Sequence, residues 1–102
     1  MGRFIYARST SIEIEDRTLH HLQLVITAKL RRREGFNFTW KEDPSKGGGR
    51  TTVWLYATDA LIYRYVTSRQ PEINRHWVDA LAFTANAPSG LYMVHEPPAQ
   101  VL

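Results

Sequence analysis

One amphipathic helix dominates the pattern of apolar and polar positions, and it is predicted over residues 16–35. Its apolar side chains recur at three- and four-residue steps and are Leu19, Leu22, Val25, Ile26 and Leu30. Asp16 stands where a helix N-cap is expected, and Gly35 follows where a left-handed residue would end the helix. We therefore expect this helix to cover the core of the domain with its apolar face.

The remaining apolar positions fall mainly into six short segments with the composition of β-strands. These segments are residues 3–7, 11–15, 36–42, 51–56, 61–66 and 91–95. A short polar connection separates the first two, which predicts a hairpin. The middle three follow one another closely and predict a three-stranded antiparallel meander.

A second helix is predicted from Pro71, because proline is tolerated in the first turn, where its missing N–H has no partner within the helix. Its apolar face has helical spacing and comprises Ile73, Trp77, Ala80, Leu81 and Thr84. Asn86 suits the left-handed position after the helix, and Pro88 prevents continuation.

The resulting order of elements, ββαβββαβ, is typical of an α+β fold. We predict two helices packed on one face of a mainly antiparallel sheet of about six strands. Residues 1–95 then form one domain, as expected for a chain of 102 residues, and residues 96–102 form a C-terminal tail.

Composition narrows the class of protein further. The hydrophobic fraction of 43% is enough to fill a core, and the chain has no cysteine, which excludes disulfides and cysteine-based zinc sites. No apolar run approaches the roughly 20 residues that span a bilayer, and the N-terminus has no apolar segment of signal-peptide length. We expect a cytoplasmic protein that does not contact a membrane.

The residue pattern indicates neither catalysis nor metal binding. His76 and Asp79 lie three positions apart on the second helix and could supply two metal ligands, but no third ligand is specified. Serines and histidines are present without a nucleophile motif. We therefore predict no enzyme activity, no catalytic residue, no metal and no cofactor.

Positive charge is concentrated in two places, in a chain with a net charge of +3 and a pI of about 9.5. The cations are Lys29, Arg31, Arg32 and Arg33 at the end of the first helix, and Lys46 and Arg50 around three consecutive glycines. Both groups could contact the phosphates of a nucleic acid. The alternatives are stabilisation of the helix dipole for the first group and a flexible hairpin tip for the second.

The middle strands carry apolar side chains on both faces, which predicts a surface for a partner. If the helices cover the face of Val53 and Leu55, the opposite face stays exposed, and a large exposed apolar face usually meets a partner. The predicted interface comprises Trp54, Tyr56, Tyr63 and Tyr65. A symmetric homodimer is the first hypothesis, and an aromatic platform for nucleic-acid bases is the alternative.

Several blocks of the sequence resemble a known family. In order, they are MGRFIY, IEIEDRTLHHLQLVITAKLRR, GRTTVWL, NRHWVDAL and SGLYMV. Over nearly its whole length the chain is similar to short actinobacterial proteins with a domain of unknown function, many of them labelled ATP-dependent DNA ligase. Such ligases have a Lys-x-Asp-Gly adenylation motif, to which none of the three lysines here belongs. The resemblance therefore implies no catalytic residue and only an association with DNA.

Overall fold

The computed structural model describes residues 1–98, except for the side chain of Lys46. Over this range the chain forms two helices and six strands, which confirms the predicted α+β class and the order ββαβββαβ. The elements are β1 (Gly2–Tyr6), β2 (Thr10–Ile14), α1 (Asp16–Arg31), β3 (Phe36–Lys41), β4 (Arg50–Leu55), β5 (Leu61–Arg64), α2 (Arg75–Ala85) and β6 (Leu91–Tyr92). Of the predicted C-terminal tail, residues 99–102 lie outside the described part.

The fold differs from the prediction in one respect, because the strands are divided between two three-stranded sheets. The first sheet has the order β2-β1-β5 and is antiparallel throughout. The second has the order β4-β3-β6, in which β4 is antiparallel and β6 parallel to β3. The predicted hairpins β1–β2 and β3–β4 are both confirmed.

The predicted meander is wrong at its third strand, because β5 pairs with β1 and not with β4. After β4, the chain turns where the Asp59 carboxylate accepts a hydrogen bond from the backbone N–H of Tyr56 at 2.6 Å. It then runs along the edge of β1, where Tyr63 lies opposite Phe4. This pairing provides hydrogen-bond partners for the backbone N–H and C=O groups on the second edge of β1. Local alternation alone does not predict which strand pairs with that edge.

Both sheets contribute to one hydrophobic core beneath the helices. The ring of Phe4 from the first sheet lies 5.4 Å from that of Phe38 and 6.3 Å from that of Trp40 in the second. The buried apolar residues of α1 are Leu19, Leu22, Val25 and Ile26, as its spacing predicts. Val53 and Leu55 of β4 point into the same core.

The ends of α1 differ from the prediction. Glu15 occupies the N-cap position without a side-chain bond, and the Asp16 carboxylate accepts hydrogen bonds from the backbone N–H groups of Val66 and Thr67 instead. The left-handed residue after α1 is Arg33, with φ 57°, and not Gly35. Gly35 is required for a different reason, because an added Cβ would overlap the Trp54 indole.

Helix α2 begins at Arg75, four residues later than predicted, because Asn74 provides the cap. The Asn74 side-chain oxygen accepts hydrogen bonds from the backbone N–H groups of His76 and Trp77, at 3.1 and 3.3 Å. At the other end Asn86 has a right-handed conformation, with φ −86°, and the left-handed residue is Gly90, with φ 89°.

Candidate binding surface

The second sheet has one face turned away from the core. Its alternate residues, which we call the outer face, are Asn37, Thr39, Lys41, Arg50, Thr52, Trp54 and Tyr92. The opposite alternation places Phe36, Phe38, Trp40, Val53 and Leu55 in the core. The predicted two-faced character of β4 is therefore what the structure shows, with Trp54 on the outer side.

Two aromatic rings stand on this outer face. Trp54 is 55% exposed and lies opposite Asn37, while Tyr92 is 38% exposed and lies beside Thr39. Between them the hydroxyls of Thr39 and Thr52 are 2.7 Å apart and hydrogen-bonded. Both rings therefore lie on the solvent side of the sheet, next to this threonine pair.

Lys41 and Arg50 are direct cross-strand neighbours at one end of the outer face. Like charges placed opposite each other destabilise a sheet, and within residues 1–98 neither side chain forms an ion pair. The nearby carboxylate of Glu42 accepts hydrogen bonds from Trp40 Nε1 and Thr51 Oγ1. It is thus turned to the opposite side of the sheet, and this end of the outer face stays cationic.

Two depressions flank the outer face. The larger, which we call the basic cavity, has a volume of about 660 Å³ and lies at the Lys41–Arg50 end. Its walls also include Tyr92, Met93 and His95. The smaller, of about 280 Å³, lies beside Trp54 and is lined by residues of the α2–β6 connection.

The six cations predicted for nucleic-acid contact are not brought to one place. Arg31, Arg32 and Arg33 are exposed at the end of α1 and in the turn before β3, whereas Arg50 pairs with Lys41 at the other end of β3. The side chain of Lys46 lies outside the described residues. Of the described cations in this set, Arg50 lies on the outer face.

Lys29 does not belong to this exposed set. Its ammonium group forms an ion pair with Glu34 and a hydrogen bond to Asn86 Oδ1, each at 2.8 Å. It also lies 5.7 Å from the centre of the Phe36 ring, and its side chain is only 12% exposed. The hydrogen bond from Lys29 lowers the pKa of Glu34. Lys29 therefore joins α1 to the α2 end and to β3.

Tyr63 and Tyr65 are separated from Trp54 and Tyr56. Tyr56 is exposed at the end of β4, but Tyr63 faces the core from the first sheet, 5.6 Å from the Phe4 ring. Tyr65 donates a hydrogen bond to Gln23 of α1, and burial, with the nearby charge of Asp16, raises its pKa to about 12. The four predicted interface residues therefore do not form one surface, because β5 belongs to the first sheet.

A buried polar cluster, absent from the prediction, lies on the other side of the molecule. His21 is fully buried in α1 and stacks on Trp77, with ring centres 4.5 Å apart. Its Nδ1 donates to the carbonyl of Arg17 at 2.7 Å, and its Nε2 accepts from the backbone N–H of Asn74 at 2.9 Å. Burial lowers the pKa of His21, which fits this neutral imidazole.

The same cluster fastens the segment that follows β6. The Glu96 carboxylate accepts hydrogen bonds from Arg17 at 2.8 and 2.5 Å and from Asn74 Nδ2 at 3.0 Å. Asn74 Nδ2 also donates to the carbonyl of Pro97 at 2.9 Å, and Trp77 Nε1 donates to that of Val94 at 2.7 Å. The bonds from Arg17 and Asn74 lower the pKa of Glu96 to about 2.

We call Arg17, His21, Asn74, Trp77 and Glu96 the C-terminal clamp. Its polar groups are hydrogen-bonded and its imidazole is closed to solvent, so it fastens the chain. In the part of the chain that the structure describes, no group of three or more histidine or carboxylate side chains converges as metal ligands do. No helix among these residues is long and apolar enough to cross a membrane.

A family model described as a domain of unknown function, DUF7882, matches residues 1–96. The chain belongs to the DUF7882 family. This match confirms the resemblance to a domain of unknown function, while the actinobacterial origin and the ligase label stay predictions. No curated protein and no solved structure shows significant similarity to the chain.

The basic cavity of this DUF7882 domain brings Lys41, Tyr92 and His95 together with Arg50. Lys41 can be identified from the sequence, because alternation from Phe38 and Trp40 places it on the outer side. No sequence pattern indicates Tyr92 and His95, because only the pairing of β6 with β3 brings them to this cavity.

Proposed function

We propose that this DUF7882 domain is a non-enzymatic binding module that holds single-stranded nucleic acid on the outer face of its second sheet. The observation that supports it most is the position of Trp54 and Tyr92, two exposed rings on a face that carries Lys41 and Arg50 at one end. Bases of unpaired strands stack on such rings, and the backbone phosphates are attracted by flanking cations. A single strand with unpaired bases can use both features, the rings for its bases and the cations for its phosphates.

A duplex fits the outer face less well than a single strand. In a duplex the bases are already stacked on one another and offer only their edges in the grooves. The rings of Trp54 and Tyr92 would then find no base plane to cover. The polar groups between them, on Asn37 and Thr52, are suited to hydrogen bonds with the edges of splayed bases.

A homodimer through the same face is a second candidate, favoured by the exposure of Trp54 and Tyr56. Charge opposes it. Because Lys41 and Arg50 make one end of the outer face basic, a two-fold axis that brings these ends together also brings like charges together. A polyanion neutralises these charges, whereas a second copy doubles them.

The test is binding of a short fluorescent single-stranded oligonucleotide, measured by anisotropy over a series of salt concentrations. Trp54→Ala is expected to weaken binding by about tenfold, because base stacking on an aromatic side chain contributes roughly 1–3 kcal/mol. Ile62→Ala is the matched control, since Ile62 is an exposed apolar residue on the outer side of the first sheet. Affinity should fall steadily as salt rises.

Absence of binding at low salt, or binding that salt does not weaken, would contradict the nucleic-acid proposal. Equilibrium sedimentation at high protein concentration tests the second candidate in the same preparations. A dimer that Trp54→Glu dissociates, together with no oligonucleotide binding, would favour the homodimer. A monomer that binds the oligonucleotide supports the module proposed here.

A further inference from the structure

We infer that the basic cavity holds a nucleotide with a terminal phosphomonoester, so that the domain prefers the phosphorylated end of a strand. This inference rests on the proposed function, since it places one particular nucleotide of the strand. The shared chemistry is a base with a phosphate dianion, which either an oligonucleotide end or a free mononucleotide supplies.

The charge of the basic cavity favours a terminal phosphate. Lys41 and Arg50 stand side by side at the mouth of the basic cavity, and His95 adds another nitrogen donor to its lining. An internal phosphodiester has one negative charge, but a phosphomonoester has about −1.5 to −2 at neutral pH. Two adjacent cations therefore match a terminal phosphate better than an internal one. Its binding would also remove the repulsion that the cross-strand pair otherwise costs the sheet.

The size and lining of the basic cavity suit a whole nucleotide. A volume of about 660 Å³ lies within the range of roughly 300–1,000 Å³ that small-molecule sites occupy. It is too large for a phosphate alone, and the side chains of Tyr92 and Met93 supply walls against which a base packs. The cavity therefore combines an anion site with an apolar surface, as a nucleotide requires.

Gly49 lines the basic cavity with bare backbone. Gly47 and Gly48 need to be glycine because their φ angles are 102° and 69°. Gly49 has no left-handed φ, and a Cβ added to it would meet no atom within 4 Å. The fold therefore does not demand a glycine at this position. A bare backbone there leaves room for a ligand.

The experiment compares oligonucleotides of one sequence with a 5′-phosphate, with a 3′-phosphate and with hydroxyl groups at both ends, measured by anisotropy. Adenosine monophosphate and adenosine are titrated alongside by calorimetry. A phosphate at one end is expected to strengthen binding by about tenfold, because charge-assisted hydrogen bonds are about twice as strong as neutral ones.

Arg50→Gln should remove most of this preference, because its loss of affinity is expected to be larger for the phosphorylated oligonucleotide than for the hydroxyl-ended one, which loses one phosphate contact. Arg64→Gln is the matched control, since it removes an exposed arginine from the outer side of the first sheet. Gly49→Ala should weaken the phosphate preference while its thermal midpoint stays equal or rises, because alanine restricts the unfolded chain.

The outcomes separate the two proposals. Equal affinity for phosphorylated and hydroxyl ends overturns the inference and leaves the proposed function standing. Binding of adenosine monophosphate that Arg50→Gln abolishes, without binding of any oligonucleotide, supports the cavity as a nucleotide site and overturns the proposed function. No binding of any of these probes overturns both.

Discussion

The C-terminal clamp and the outer face of the second sheet use similar residues in opposite ways. In the clamp, Arg17 is bound to Glu96 and the imidazole of His21 is enclosed by hydrogen-bond partners. On the outer face, Lys41 and Arg50 face each other, and the Trp54 ring is more than half exposed. One region satisfies its polar groups within the chain, and the other presents them outward.

This difference separates stability from recognition. Paired and buried polar groups hold a segment in place, because leaving any one of them without its partner costs free energy. Exposed cations and aromatic rings contribute little to stability, so their arrangement is explained by what they contact outside the chain. Substitutions in the clamp should therefore change unfolding, and substitutions on the outer face should change binding.

The largest expected effect is on the clamp. Asn74→Ala removes the cap of α2 and the amide that holds Glu96 and Pro97. We expect a loss of about 3 kcal/mol in the free energy of unfolding, measured by urea titration. Asn86→Ala, at the other end of α2, should cost less than about 1 kcal/mol. Equal losses for the two variants would contradict the assignment of Asn74 to a clamp.

A smaller effect on stability should come from Glu96 and should depend on pH. Hydrogen bonds from Arg17 and Asn74 lower the pKa of Glu96 from 4.5 to about 2 in the folded state. A lowered folded-state pKa stabilises the protein above pH 4.5, and that contribution is lost as the pH falls towards 2. Glu96→Gln should flatten this part of the stability profile, measured by thermal unfolding at a series of pH values.

Glu13→Gln provides the control for that series, because Glu13 is exposed on the outer side of the first sheet, where it pairs with Arg3. Its profile should follow that of the wild type. A Glu96→Gln profile that keeps the full wild-type slope below pH 4.5 would show that Glu96 is not the group responsible.

The smallest expected effect is an increase in the free energy of unfolding. Lys41→Gln removes one of two facing cations, so we expect it to raise the free energy of unfolding by about 0.5 kcal/mol. The same variant should reduce the salt dependence of oligonucleotide binding by about one phosphate contact. Lys29→Gln, which breaks an ion pair with Glu34, should instead lower stability. Destabilisation by Lys41→Gln would contradict the comparison between the two regions.

Much of the fold follows from local pattern. Side-chain direction repeats with the period of the element, so spacing alone predicts which residues share a face. This is how the apolar stripe of α1, both hairpins and the separation of Val53 and Leu55 from Trp54 can be derived. The start of α2 also has a local signal, because Asn74 caps the helix through His76 and Trp77. The bonds of Asp16 to Val66 and of Asn74 to Glu96 could not be derived in this way, because they join groups distant in sequence.

The candidate site could be predicted only in part. Residue type identifies Trp54, Arg50 and the arginines at the end of α1, and all of them are exposed. Residue type does not separate Tyr63 and Tyr65 from Trp54, whereas the structure does, because β5 pairs with β1 and not with β4. Nothing in the local pattern distinguishes one exposed strand edge from another, since both offer the same backbone donors and acceptors.

By itself, the sequence determined the elements, their buried faces and the absence of cysteine chemistry, because these depend on residues that are close along the chain. Only the tertiary structure decided that the sheet divides in two, that His21 and Glu96 meet through Asn74, and that Tyr92 and His95 join Lys41 and Arg50 around one cavity. Those arrangements depend on which distant segments pack together, and that choice minimises the free energy of the whole core and not of any single segment.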